Sequence, residues 1–315
     1  MKNIPTVDLS DFTSGNSARK QNFVTALGDA YRDVGFVTVK NHGINESLIE
    51  ELYREVKAFF NLPDDSKLKY EKKDLAGQRG YTSFGREHAK GSEVADLKEF
   101  WQFGQTVTDG DLISKEYPAN VWVNELPGFN ETGLNAYVSF EKSGRILLQA
   151  IALYLNLPEN YFDDKIKNGN SILRAIHYPP IVNDPKSALR AEQHEDINLI
   201  TLLVGASAEG LEVLTMQNEW LPVVSMPGQI VVNVGDMLQR LTNNVLRSTT
   251  HRVVNPPKDL WGTSRYSIPF FLHPRSDMRL DCLKSCVTLD NPKQYDDISA
   301  GEYLEQRLIE IGLKK

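Results

Sequence analysis

Apolar positions recur at helical spacing through residues 19–32, where Phe23, Ala26, Leu27 and Ala30 share one side, and Gly35 ends the run. Phe36-Val37-Thr38-Val39 then reads as a strand. A second helix is predicted over residues 47–60, with Asn45 as its cap and Pro63 beyond its end. Residues 72–91, rich in Gly, Lys and Arg and without periodicity, read as a long functional loop. The longest helical pattern, 131–155, is expected to lie across the outside of a sheet.

From Ser171 the texture changes to short β-rich runs at 172–178, 199–204, 211–216, 229–234, 251–254 and 266–272. Pro179-Pro180, Gly205, Gly210, Pro227-Gly228, Asn243-Asn244 and Pro256-Pro257 punctuate them as turns do in an antiparallel sandwich or barrel. The predicted fold is mainly β with flanking helices around a double-stranded β-helix, a cupin-like jelly roll. A final helix is predicted at 300–313. One catalytic domain, 1–315, is expected. It divides into a helix-rich part with substrate loops (1–170), the jelly-roll core with the site (171–275) and a C-terminal segment and helix (276–315).

Composition narrows the partners. At 315 residues, 41% hydrophobic and 24% charged, the chain suits a soluble globular domain. Its net charge of −7, without a Lys/Arg-rich run, argues against nucleic acid and anionic membranes and leaves a small-molecule substrate. Residues 1–12 contain Asp8 and Asp11 and lack a secretory core, while the apolar stretch 146–157 is broken by Gln149 and too short to span a bilayer. A cytoplasmic location is expected. Cys282 and Cys286 read as free thiols, consistent with a reducing compartment.

The chemistry lies in His194-Glu195-Asp196 and, farther along, Thr250-His251-Arg252-Val253. Two imidazoles and one carboxylate on one side of a metal suit Fe(II) and leave positions open for an organic co-substrate and O₂. A lone His-x-Asp carries little weight, since surface histidines and carboxylates are common; the company of His251 and of Arg265-Tyr266-Ser267 changes that. Arg265 and Ser267 alternate onto one strand face, and an arginine fork beside a hydroxyl suits a carboxylate. His42 reads as structural, His273 as a strand exit before Pro274, His88 as part of the polar loop, and His177 as a neighbour of the pocket that points away from Tyr178. Asp236 and Asn243 read as scaffold, and Arg252 as one half of an ion pair.

These residues resemble the isopenicillin N synthase-like branch of the Fe(II)/2-oxoglutarate-dependent dioxygenases. The resemblance rests on His194-Glu195-Asp196, on Asn233-Val234-Gly235-Asp236-Met237-Leu238 with Thr242-Asn243-Asn244, on Ser248-Thr249-Thr250-His251-Arg252-Val253 and on Arg265-Tyr266-Ser267. Upstream, Ile4-Pro5-Thr6-Val7-Asp8-Leu9, residues 35–43, Asp96-Leu97-Lys98-Glu99-Phe100 and His177-Tyr178-Pro179-Pro180 extend it to roughly residues 1–275. It implies iron on His194, Asp196 and His251, with the distal carboxylate of 2-oxoglutarate at Arg265 and Ser267 and Tyr178 beside the oxoacid. Oxidative decarboxylation to succinate and CO₂ would then drive oxidation, usually hydroxylation, of an aliphatic carbon. Ile176 departs from many plant members, which carry Asn there.

Arg174, Tyr81, Phe84 and Arg86 are the expected substrate contacts, with His88, Phe100 and Trp101 nearby, and Arg86 or Arg174 points to an acidic group. Two other readings stand beside the first. One is an oxoacid-independent oxidase or cyclase of the isopenicillin N synthase type, whose Arg and Ser meet the substrate's own carboxylate. The other is a non-catalytic jelly roll that binds a small acid.

Overall fold

The structure is a computed structural model that describes residues 4–310 apart from 76, 89–93, 109, 111, 206–207 and 225. The first half of the chain supplies strand β1 (Thr6–Asp8), helix α1 (Ser17–Asp33), β2 (Phe36–Lys40), α2 (Glu46–Phe60), β3 (Gly80–Thr82), β4 (Glu99–Gly104) and the long α3 (Pro127–Tyr154). The second half supplies β5 (Ile172–Tyr178), β6 (Ala191–His194), β7 (Ile200–Val204), β8 (Leu211–Leu214), β9 (Trp220–Pro222) and β10 (Gln229–Val234). After these come α4 (Asp236–Leu241), β11 (His251–Val253), β12 (Arg265–Leu272) and α5 (Ala300–Glu310).

Local chemistry explains the boundaries. The Asn16 side chain accepts the Ala18 and Arg19 N–H groups at the start of α1, as Asn45 accepts that of Ser47 at α2. Helix α1 ends on Gly35, whose φ of +76° suits a residue without Cβ; there the Gly35 N–H reaches the Ala30 carbonyl at 3.0 Å. A Cβ at that position would sit 2.3 Å from Thr249 Oγ1, so glycine also lets the segment ahead of β11 approach.

Eight strands form one sheet in the order β1-β2-β10-β7-β12-β5-β4-β3, and four form the second, β6-β11-β8-β9. All neighbours are antiparallel except β1 with β2. The two sheets enclose one cavity, to which β5, β7, β10 and β12 contribute from one side and β6, β8 and β11 from the other. This is the expected double-stranded β-helix. Helices α1, α2 and α3 cover the outside of the larger sheet, where Phe59 stacks on Phe129 at 4.9 Å and Trp101 meets both rings edge-on.

The sequence reading differs from the structure in two stretches. The part before residue 171 is helix-rich as expected, yet it also gives four strands to the larger sheet, so that boundary divides no layer. Within 72–91, expected as loop throughout, lie a 3₁₀ turn (Lys73–Leu75) and β3, because Gly80, Tyr81 and Thr82 pair with Gln102, Trp101 and Phe100. Residues 76 and 89–91 of that loop, and 311–313 of the predicted last helix, lie outside the described residues.

Candidate active site

Strands β6 and β11 run antiparallel with His194 directly opposite His251, and the chain leaving β6 brings Asp196 back to the pair. Asp196 Oδ1 lies 3.6 Å from His251 Nε2 and 3.9 Å from His194 Nε2. The three ligand atoms fall within 4.8 Å of one another. Each Nδ1 faces a backbone carbonyl two residues earlier, Glu192 O at 2.7 Å for His194 and Thr249 O at 3.1 Å for His251. Those carbonyls require Nδ1–H, so both Nε2 lone pairs face the centre.

Asp196 is oriented in the same way. Its Oδ2 accepts from Thr201 Oγ1 at 2.6 Å and Asn233 Nδ2 at 2.8 Å, which leaves Oδ1 for the centre. Burial works to raise its pKa, but the two imidazoles and these bonds outweigh burial and hold it below the usual range. The His194 imidazole is pushed down to about 4, by burial first and by His251 second. An ionised carboxylate and neutral imidazoles are the states a metal requires. The donor set therefore fits a divalent ion, and Thr201 and Asn233, which the sequence reading missed as site residues, support it.

The Asn233-Val234-Gly235-Asp236 segment is laced to the Asp196 loop by backbone bonds from Gly235 to Leu199 and from Asp236 to Asp196, both 2.9 Å. A Cβ on Gly235 would meet Asn198 Oδ1 at 2.1 Å, so only glycine permits this seam. Asp236 accepts from the Tyr303 hydroxyl and forms an ion pair with Arg307 of α5, Asn243 donates to backbone carbonyls, and Arg252 pairs with Glu212 at 2.9 Å. All three are scaffold.

From the triad the cavity, about 200 Å³, extends in two directions. At the inner end Arg265 lies opposite Tyr178 and Ser267 opposite Ile176. Arg265 Nε donates to the carbonyls of Ala208 and Glu209 at 3.1 and 3.2 Å, while its NH1 is buried without any partner. A buried guanidinium nitrogen with nothing to bond is costly unless a ligand supplies the acceptor. Arg190 is equally buried nearby, its pKa drawn down to about 10 by burial and by Arg265. No carboxylate among the described residues pairs with either arginine. The inner end is built for an anion, and the apolar wall of Ile176, Phe100, Ala191 and Val253 keeps it dry.

The outer end differs from the sequence expectation. Of the four proposed substrate contacts only Arg174 lines the cavity; His88 lines it too. Tyr81 is buried in the helix-covered core, where its hydroxyl donates to Glu99 and its ring meets Phe59. Phe84 is half exposed, and Arg86 pairs at the surface with Glu71 at 3.2 Å. Trp101 sits in the same core as Tyr81, and Phe100 backs the inner wall. Alternation explains these placements: Gln102 faces the cavity opposite Arg174, so its β4 neighbour Trp101 faces the helices. His177 points away as expected, between Glu99 and Ser264, whereas His273, read only as a strand exit, lines the cavity.

Burial draws the His273 pKa down to about 3. Its unfolded value of 6.5 is higher, so as pH falls the unfolded chain takes up this proton first. Stability from neutral His273 is complete above pH 6.5 and is lost progressively toward about pH 3. Thermal denaturation of metal-free protein is thus expected at lower temperature at about pH 4.5 than at about pH 7, and His273→Leu should flatten part of that slope. An unchanged slope in the variant would refute it.

Two family patterns match the chain: residues 4–125 match the one described as non-haem dioxygenase in morphine synthesis N-terminal, and residues 169–274 match the 2OG-Fe(II) oxygenase superfamily. The proline hydroxylase buaE of Petromyces alliaceus is 34% identical over 98% of this chain and 99% of its own. A 2OG-Fe(II) oxygenase family protein from Caulobacter crescentus superposes with TM-score 0.89 at 42% identity, covering 99% of this chain and 100% of that one. A full-length Neurospora crassa protein, crystallised with alpha-KG (2-oxoglutarate) and thymine, superposes with TM-score 0.86 at 30% identity, covering 97% of this chain and 96% of that one.

Proposed function

The chain belongs to the 2OG-Fe(II) oxygenase superfamily, and from that premise we propose that His194, Asp196 and His251 hold its iron while Arg265, Ser267 and Tyr178 hold its 2-oxoglutarate. The protein is a 2-oxoglutarate-dependent dioxygenase that hydroxylates a small molecule. Fe(II), 2-oxoglutarate and O₂ supply the oxidising chemistry, with release of succinate and CO₂. The observation that carries the residue assignment is the pairing of a convergent His-Asp-His set, in which Asp196 and His251 are buried, with an unpartnered arginine nitrogen in the same cavity.

The chain's own part is positional. The Glu192 and Thr249 carbonyls fix the imidazole tautomers, Thr201 and Asn233 aim the carboxylate, and Arg265 fixes the co-substrate's depth. Thr201→Val and Asn233→Ala are each expected to weaken Fe(II) binding by roughly 10–100-fold. Anaerobic calorimetry reads this, and wild-type affinity in both variants would contradict it. The support for dependence on 2-oxoglutarate, over the isopenicillin N synthase-type alternative, is the relatives named for that co-substrate. Succinate formed in step with substrate loss is the expected result; substrate oxidation without succinate would favour the alternative.

The whole chain acts as one catalytic unit in this reading, since strands from residues 4–170 and 171–275 share one sheet. No described helix is long and apolar enough to cross a membrane, and the two free thiols suit a reducing, cytoplasmic setting. Neither nucleic acid nor membrane surface is a partner in this reading. The relatives extend to chemically different substrates: proline carries a carboxylate, thymine does not.

A further inference from the structure

Resting on the oxygenase reading, we propose that the outer end of the cavity recognises an uncharged amide, as in a lactam or cyclic dipeptide, through Asn170 and His273, and excludes free carboxylates. The two ends of one cavity supply the contrast. At the inner end Arg265 keeps an unpartnered nitrogen, and no carboxylate among the described residues pairs with it. At the outer end the cations that line the cavity, Lys98, Arg174 and Arg307, are each paired with carboxylates; Arg79, buried behind the lining, donates to the Gln78 carbonyl and Gln105 Oε1 instead. Lys98 Nζ reaches Glu87 at 2.7 Å and Asp96 at 2.8 Å. The Arg174 guanidinium spans both Glu87 oxygens at 3.1 Å and places its Nε on Gln102 Oε1 at 2.8 Å. Arg307, on α5, is held by Asp236 at 3.3 Å and Glu310 at 2.7 Å. Lys98 and Arg174 balance the buried Glu87 and Asp96, so an incoming carboxylate would meet a charge-balanced cluster with no cation left to pair it.

Arg307 Nε lies 3.3 Å from Asp236 without a hydrogen bond, and beside that ion pair two neutral groups are left without partners. Asn170 Oδ1 is buried and bonds nothing, while its Nδ2 reaches Gln78 at 3.4 Å. The buried His273 ring makes no hydrogen bond to a described residue, and burial keeps it uncharged, so it offers one N–H and one lone pair. The Asn170 acceptor and the neutral His273 imidazole, on adjoining segments whose backbones meet where the Asn170 N–H donates to the Pro274 carbonyl at 3.3 Å, together match the N–H and C=O of an amide. Ile172 and Phe271 on the strands and Leu304 and Leu308 on α5 supply apolar walls for the rest of the molecule. His273 lies six residues beyond Ser267 on the same face of β12 and just past its end, roughly 20 Å from the co-substrate anchor at strand spacing, so the two ends bind separate molecules.

The test uses the full chain with Fe(II) and matched probes: 2-piperidinone against 5-aminopentanoate, and cyclic against linear dipeptides. Anaerobic calorimetry with saturating 2-oxoglutarate measures binding, and succinate release in air measures coupling. The uncharged member of each pair is expected to bind at least about 10-fold more tightly and to raise succinate release. Asn170→Asp and His273→Leu should each weaken that binding about 10-fold or more. Glu87→Gln, which leaves Lys98 and Arg174 with one carboxylate between them, should move the preference toward the acids. Tighter binding of the acids by the wild type, no binding by any uncharged probe, or indifference to both Asn170→Asp and His273→Leu would overturn the proposal. Binding of 2-oxoglutarate, read before any probe is added, reports separately on the iron and co-substrate assignment.

Discussion

His251→Ala is expected to lower substrate-dependent succinate release by at least about a thousandfold, a rise of roughly 4 kcal/mol in the barrier. The size follows from geometry. His251 is the better buried of the two imidazoles, its Nε2 stands 3.6 Å from Asp196 Oδ1, and no other described histidine, cysteine or carboxylate joins the cluster to replace it. The side chain also packs edge-on against Phe36 at 5.4 Å, so alanine leaves a small void as well as an open coordination position. Comparison of thermal melting for the metal-free variant and wild type separates the two losses. Turnover within tenfold of wild type would remove His251 from the site.

Arg265→Lys is expected to raise the apparent KM for 2-oxoglutarate by about 10–100-fold with little change in kcat, since lysine keeps the charge but loses the planar fork. A charge-assisted hydrogen bond contributes roughly 1.5–3 kcal/mol, which sets this range. Arg265→Ala should be worse, because it also strands the Ala208 and Glu209 carbonyls that Nε now bonds. Steady-state kinetics with 2-oxoglutarate varied at saturating substrate distinguishes the outcomes. An unchanged KM in Arg265→Lys would place the co-substrate elsewhere.

The legible parts of this chain were those where a period or spacing survives burial. Helices α1 and α2 announce themselves by caps and one-sided apolar spacing, and β5, β10 and β12 by runs between turn residues. Strand β4 was missed because every residue from Glu99 to Gly104 is buried, so no alternation of polar and apolar positions marks it. Strand β3 is three residues long and lies in a glycine-rich stretch. The triad was legible because each ligand sits in a recognisable local string. Thr201 and Asn233 were not, although a single polar residue inside each of the apolar runs of β7 and β10 is a usable sign of a buried bond.

The substrate end was the least legible for a physical reason. Tyr81, Phe84 and Arg86 were read from a polar loop whose Gln78, Glu87 and His88 line the cavity instead, and the other residues at that end come from β4, β5, the exit of β12 and α5, which only folding brings together. Arg174 does lie on the cavity face of β5, yet its charge is consumed by Glu87, a pairing no linear spacing signals. His273 follows a strand and precedes a proline, which hides that the Arg265 face of β12 continues to it.

The central claim is that three side chains from β6, the loop after it and β11 hold a single iron. Anaerobic calorimetric titration of Fe(II) into the metal-free chain and into His194→Ala, Asp196→Ala and His251→Ala tests it directly. One ion per wild-type chain, with binding abolished or severely weakened in all three variants, is the predicted result. Wild-type stoichiometry and affinity in any one of them would contradict it.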